Sequence, residues 1–184
     1  MKRLKLRFIS DPKVHDPGGA LKTETKIISD HVLIKSMKDL IQGVIQQCVK
    51  RKGLVGTLIL SSHGNSSLFV IGEERYAEGD KRLHALAVLR PFFAPDAYLI
   101  INACECGNAE GLMRQVAKIL GVTVIGYTGD IDVYKWFVFE GVIPTGNKVV
   151  CTAAGCQQID SMEELRKAFE RGPGENVPGY GREA

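Results

Sequence analysis

No apolar run in this chain of 184 residues is long enough to span a bilayer, which argues against a membrane-inserted helix. The start, "MKRLKLRFIS", alternates basic and apolar residues and lacks the continuous apolar stretch of a secretory signal. No internal repeat, low-complexity tract or glycine-rich phosphate loop of the GxGxxG type follows any predicted strand, so solenoid and nucleotide-binding architectures find no support. Charge of one sign is also scarce. The net charge is only +3, and the basic clusters "MKRLKLR" and "VKRKG" fit a strand edge and a helix end better than a nucleic-acid surface.

What is present is ordinary for a water-soluble globular protein: 45% apolar and 24% charged residues, enough to bury a core without metal or disulfide support. The five cysteines, an odd number, fit a reducing compartment. The expectation is a soluble, cytoplasmic protein with no cofactor or metal and neither nucleic acid nor membrane among its partners. One domain is expected over residues 1–171, with a flexible tail over 172–184 too poor in apolar surface to order.

Hydrophobic periodicity supplies the element order. Residues 4–9, "LKLRFI", alternate as a strand with one buried face. Residues 10–30 are rich in Pro, Gly and charge and read as a long loop or ribbon. A helix begins at Met37 behind the cap Ser36, with Met37, Leu40, Ile41, Val44, Ile45 and Cys48 on one face and a stop at Lys50–Gly53. "LVGTLILSS" is a continuous β-rich run, as in a strand covered on both faces. A second helix is expected over 81–89, stopped by Pro91. "AYLIINA" is another buried strand. "NAEGLMRQVAKILG" is a third helix capped by Asn108 and ended by Gly121, and "VTVIGYT" a third buried strand. Further strands are expected in "VYKWFVFEG" and "NKVVCTAAG", and a last helix in "SMEELRKAFER", where Ser161 and Glu164 form a capping box. Alternating strands and helices imply an α/β fold: a three-layer sandwich, mostly parallel, with helices on both faces.

Parallel sheets bind ligands outside the carboxyl ends of their strands, and two chemically able residues stand there. "LILSSHG" ends in His63 and Gly64; 41 positions after His63, "LIINACECG" ends its apolar run at Cys104. A thiol attacks well only as thiolate and needs a base or a positive environment. His63 is a base, and the helix after the cysteine would turn its positive end toward it. Small neighbours, Gly64, Ala103 and Gly107, let a substrate backbone approach and leave main-chain N–H groups to hold an oxyanion.

These two motifs resemble the caspase-like cysteine peptidases (clan CD: caspases, metacaspases, gingipains, separases and bacterial CHAT domains), in which an apolar strand ends in His-Gly and a second ends in a residue-Ala-Cys motif. "ACECG" is most similar to the ACxxG form of CHAT-type members and departs from the caspase form, where glycine lies two after the cysteine. The likeness covers roughly residues 54–130. It implies a caspase-like sandwich and an endopeptidase acting on a peptide or protein. His63 would be general base and acid, Cys104 the nucleophile, and the N–H groups of Gly64 and Cys104 the oxyanion donors. The family requires no third catalytic residue, and none is evident in this sequence. Asn102 stands where relatives floor the pocket for the substrate residue before the cleaved bond. Asp130, in "GYTGDID", would reach the same pocket, although a turn or helix-cap role accounts for it better. The aromatic segment with Trp136, Phe137 and Phe139 hints at a homodimer edge. His15, His31 and His84 have no partner in the pattern.

Two other readings stay open. A catalytically silent caspase-like interaction module would keep the sheet without the chemistry. Cys104 and Cys106, as a C-x-C pair near His63, would alternatively bind a soft metal or form a redox pair.

Overall fold

The structure, a computed structural model, describes residues 1–16, 19–130 and 146–159. Among them a seven-stranded sheet runs in the order β10-β9-β8-β7-β3-β1-β2. Its strands are β1 (Lys2–Ser10), β2 (Val32–Ile34), β3 (Gly53–Ser61), β7 (Phe93–Asn102), β8 (Thr123–Tyr127), β9 (Lys148–Cys151) and β10 (Cys156–Ile159). The first five pair in parallel, and β9 and β10 return antiparallel. A second sheet of three short antiparallel strands, β4 (His63–Asn65), β5 (Leu68–Ile71) and β6 (Glu74–Ala77), rises from the end of β3. The sequence shows only "LFVI" of that meander; its outer strands are too short and polar to register as a period.

Parity along the strands explains the layers. Leu4, Leu6, Phe8, Leu58, Leu60, Leu99 and Ile101 point to one face and are buried in the main core. That face is covered by α2 (Met37–Arg51), a 3₁₀ segment (Lys81–Phe92) and α3 (Glu110–Leu120). The opposite face carries Arg7, Ile59, Ile100 and Ile125, aligned in one cross-strand row. There α1 (Ala20–Ile27) packs, because its Glu24 carboxylate accepts a hydrogen bond from Ser61 on that face at 2.6 Å. The result is a three-layer α/β fold with a mostly parallel sheet, as the sequence predicts.

Local departures have physical reasons. The helix α1 forms inside the segment expected as a loop; at eight residues it is too short to show a helical period, and contacts with the sheet hold it. The expected α-helix over 81–89 is a 3₁₀ segment that runs through Pro91 to Phe92. Leu83, Leu86 and Leu89, its buried residues, recur every third position, which suits three residues per turn better than 3.6. Ser36 caps α2 as expected, accepting from the Asp39 N–H. Asn108 does not cap α3: its side chain donates to the Thr128 carbonyl at 3.1 Å, and Ala109 stands at the cap position with no side-chain hydrogen bond.

Cys151 and Cys156 face each other across β9 and β10 and form a disulfide, so the odd cysteine count hides one joined pair. That pairing runs against the reading of the cysteines as fitting a reducing compartment. No helix of the described residues is long and apolar enough to cross a membrane. The strand expected over 133–141, with its dimer segment, the last helix over 161–171 and the tail 172–184 lie outside the described residues.

Candidate active site

Strand register brings the histidine and the cysteine to one place. In the parallel pair β3–β7, Ile59 stands beside Ile100, Leu60 beside Ile101 and Ser61 beside Asn102. The Ser62 N–H continues the ladder to the Asn102 carbonyl at 3.1 Å. His63 and Cys104 therefore each lie two residues beyond the same register pair, at the carboxyl ends of neighbouring strands. The segments then touch: a Cβ placed on Gly64 would lie 2.9 Å from the Ala103 Cβ, 2.9 Å from the Leu68 carbonyl and 3.5 Å from the Cys104 carbonyl. Only glycine lets the His63 segment approach this closely. Ala103, with the smallest side chain that still has a Cβ, is fully buried beneath it. The two residues whose amides are the expected oxyanion donors, Gly64 and Cys104, thus sit on facing segments.

A carboxylate that the sequence does not reveal joins them. The chain leaving β1, the other neighbour of β3, carries Asp16 to His63, where Nε2 and Asp16 Oδ1 are 2.9 Å apart. The Asp16 side chain is 3% exposed and the His63 side chain 22%. Asp16 also accepts from the N–H groups of Leu21 (3.3 Å) and Lys22 (2.9 Å), the first turn of α1. The His15 ring meets His63 edge to face, with centroids 5.4 Å apart. The sequence shows no third member beside the pair and nothing to pair with His15; the structure sets both Asp16 and the His15 ring against His63. Asp16 sits 47 positions before His63 in a stretch expected to be a loop, and strand order alone brings them together.

The cysteine turn is braced from the other side. Glu105 takes a left-handed conformation, φ 53°, and its N–H bonds to the Gly129 carbonyl at 3.0 Å. For a side chain with a Cβ that conformation costs about 1 kcal/mol or more; the bond to Gly129 and the Asn108–Thr128 bond hold it. Gly107 abuts the end of β8 so closely that a Cβ would lie 2.6 Å from the Tyr127 carbonyl carbon. A short 3₁₀ turn, Cys106–Asn108, separates Cys104 from α3, so the helix starts two residues later than expected. Cys104 is half-buried, whereas Cys106 is fully buried and burial pushes its thiol up to about 12. A thiol so disfavoured as thiolate is a poor metal ligand or redox partner, which weighs against the C-x-C reading.

Asn102 lies under this surface, 2% exposed, donating from Nδ2 to Ser61 Oγ at 3.3 Å. Ser61 in turn donates to Glu24, and Arg7 approaches the same carboxylate at 3.9 Å. Burial raises the Glu24 carboxyl above its ordinary range, against the lowering effects of the Ser61 hydrogen bond and the Arg7 charge. Asn102 Oδ1 has no hydrogen-bond partner among the described residues. Asp130 is exposed and follows Gly129, whose carbonyl holds Glu105, so its backbone borders the cysteine turn.

The ends of β3 and β7 thus carry, on facing segments, a histidine bonded to a buried carboxylate and a half-buried cysteine. No protein-family model matches the chain, and no curated protein or solved structure matches it.

Proposed function

We propose that the chain is a caspase-like cysteine endopeptidase, hydrolysing peptide bonds of a peptide or protein substrate. One observation carries the reading: His63 and Cys104 leave adjacent parallel strands from the same register pair, Ser61 and Asn102, with Gly64 packed on Ala103. The two motifs stand in the context in which caspase-like peptidases use them, and the three-layer fold supports the same assignment.

In the proposed reaction His63 takes the Cys104 thiol proton as the sulfur attacks the substrate carbonyl carbon. The tetrahedral oxyanion accepts hydrogen bonds from the Gly64 and Cys104 N–H groups. Collapse breaks the C–N bond, and the amine leaves with the proton His63 had taken. Water, deprotonated by His63, then cleaves the thioester, releasing the acid and restoring the thiol. Asn102 would contribute to the floor of the pocket for the residue before the cleaved bond, and Asp130 to its rim. A homodimer belongs to the same proposal.

A thiol-reactive peptidyl probe tests it. Labelling is expected at Cys104 alone, with Cys106 and Cys48 untouched, and a loss of about 100-fold or more in rate for His63→Ala, the scale of a general base. Equal labelling in His63→Ala would overturn the dyad. No labelling across a broad peptide library would leave the silent interaction module standing in its place.

A further inference from the structure

Sequence resemblance supplies two catalytic residues, and the structure adds a third group behind the histidine. We propose that Asp16 is a positioning residue that fixes the tautomer and orientation of His63, so that Nδ1 is the atom that exchanges the proton with Cys104. This deepens the peptidase reading and rests on it for its catalytic consequence, though not for its geometry.

Every contact of the Asp16 carboxylate is an acceptor contact. Two backbone N–H groups of α1 donate to it, one to each oxygen. The third neighbour, His63 Nε2, is 2.9 Å away and must therefore carry the proton. In a neutral imidazole that leaves Nδ1 unprotonated and able to accept. Asp16 is itself held by the two α1 amides and is almost fully buried, so it offers His63 one position rather than several. The edge-on His15 ring limits rotation from the side. The ionisable side chains with a described contact to the His63 ring are Asp16, hydrogen-bonded, and His15, edge to face, both from the segment after β1. Among these only Asp16 makes a described hydrogen bond to the ring. When His63 takes up the thiol proton, the imidazolium forms against a carboxylate, which favours the charged pair.

Asp16→Asn removes the negative charge and leaves one acceptor oxygen where two serve the Leu21 and Lys22 N–H groups, so part of the α1 contact is lost with it. A merely structural role then shows as lower stability in urea unfolding, without a kcat-specific loss or any constraint on the His63 tautomer. The expected result is a kcat lower by roughly tenfold or more with KM within about twofold. Nitrogen NMR of the ¹⁵N-histidine-labelled protein reads the ring directly, its four histidines assigned by single His→Gln variants. The wild-type neutral His63 is expected as the Nε2–H tautomer. A wild-type Nδ1–H tautomer, or a kcat unchanged in Asp16→Asn, would overturn the proposal. The tautomer is measured on the wild-type protein without turnover, so it stands or falls even if Asp16→Asn fails to fold or the peptidase reading fails.

Discussion

At the scale of single residues, the site depends on what is missing as much as on what is present. Gly64 is the clearest case. Its backbone is not in the left-handed region, so what makes it glycine is space: neighbours stand at 2.9 Å from where a Cβ would be. Gly64→Ala is expected to cost about 1–3 kcal/mol in urea unfolding, the range for overpacking a close contact. It should also slow probe labelling of Cys104 at least tenfold by pushing the His63 segment away. A stable variant that labels at the wild-type rate would show that this approach does not matter to the chemistry. Cys106 makes the complementary point, since its C-x-C spacing invites a ligand role and its complete burial removes the thiolate that role needs.

At the scale of elements, local rules decide which helix forms as well as whether one does. The segment Lys81–Phe92 has a helical composition, yet its apolar residues recur in threes and Pro91 stands within it. The 3₁₀ turn places Leu83, Leu86 and Leu89 against the core and leaves Val88 outside. Leu86→Ala is therefore expected to cost about 2–5 kcal/mol, and Val88→Ala less than about 0.5 kcal/mol, both by chemical denaturation. Comparable losses at the two positions would show that the segment does not bury Leu86 and expose Val88 in solution. The helix α1 shows the opposite balance. Its eight residues are marginal alone, and Asp16 at one end with Glu24 against the sheet make it part of the fold.

At the scale of the whole molecule, the sheet's second face carries a buried polar chain from Asn102 through Ser61 and Glu24 toward Arg7. Burial raises the Glu24 carboxyl in the folded state. Unfolding exposes it and returns it to its ordinary value of 4.5, so the folded state holds its proton more tightly than the unfolded state does. The contribution of Glu24 is then fully present below that ordinary value and is lost as pH rises through the folded one. Stability of the wild type relative to Glu24→Gln is expected to be greater at pH 5 than at pH 7 in urea titrations. A difference independent of pH would place Glu24 with an unperturbed carboxylate. The charge of Arg7 works against the shift, and its effect is smaller than that of burial.

Much of this architecture is legible from local pattern. The strands β1, β3, β7 and β8, the helix α2 with its Ser36 cap, and α3 with its Gly121 stop follow from periodicity and capping, because those forces act within a dozen residues. The two segments ending at His63 and Cys104 are legible for the same reason, each being an apolar run with a small-residue exit. Asp16 is not legible, because nothing near it in the chain distinguishes a carboxylate that meets a histidine from one that meets water. Nor are the 3₁₀ form of Lys81–Phe92, the short meander of β4 to β6 or the pairing of Cys151 with Cys156.

The sequence by itself determined the α/β class, the main strands and helices, and the place of His63 and Cys104 at strand ends, since burial period and turn chemistry are written in adjacent side chains. Only the tertiary structure decided that β3 lies between β1 and β7. That order sets His63 beside Asp16 on one side and the Cys104 turn on the other. Strand order is fixed by long-range packing and register, and no stretch of neighbouring residues encodes it.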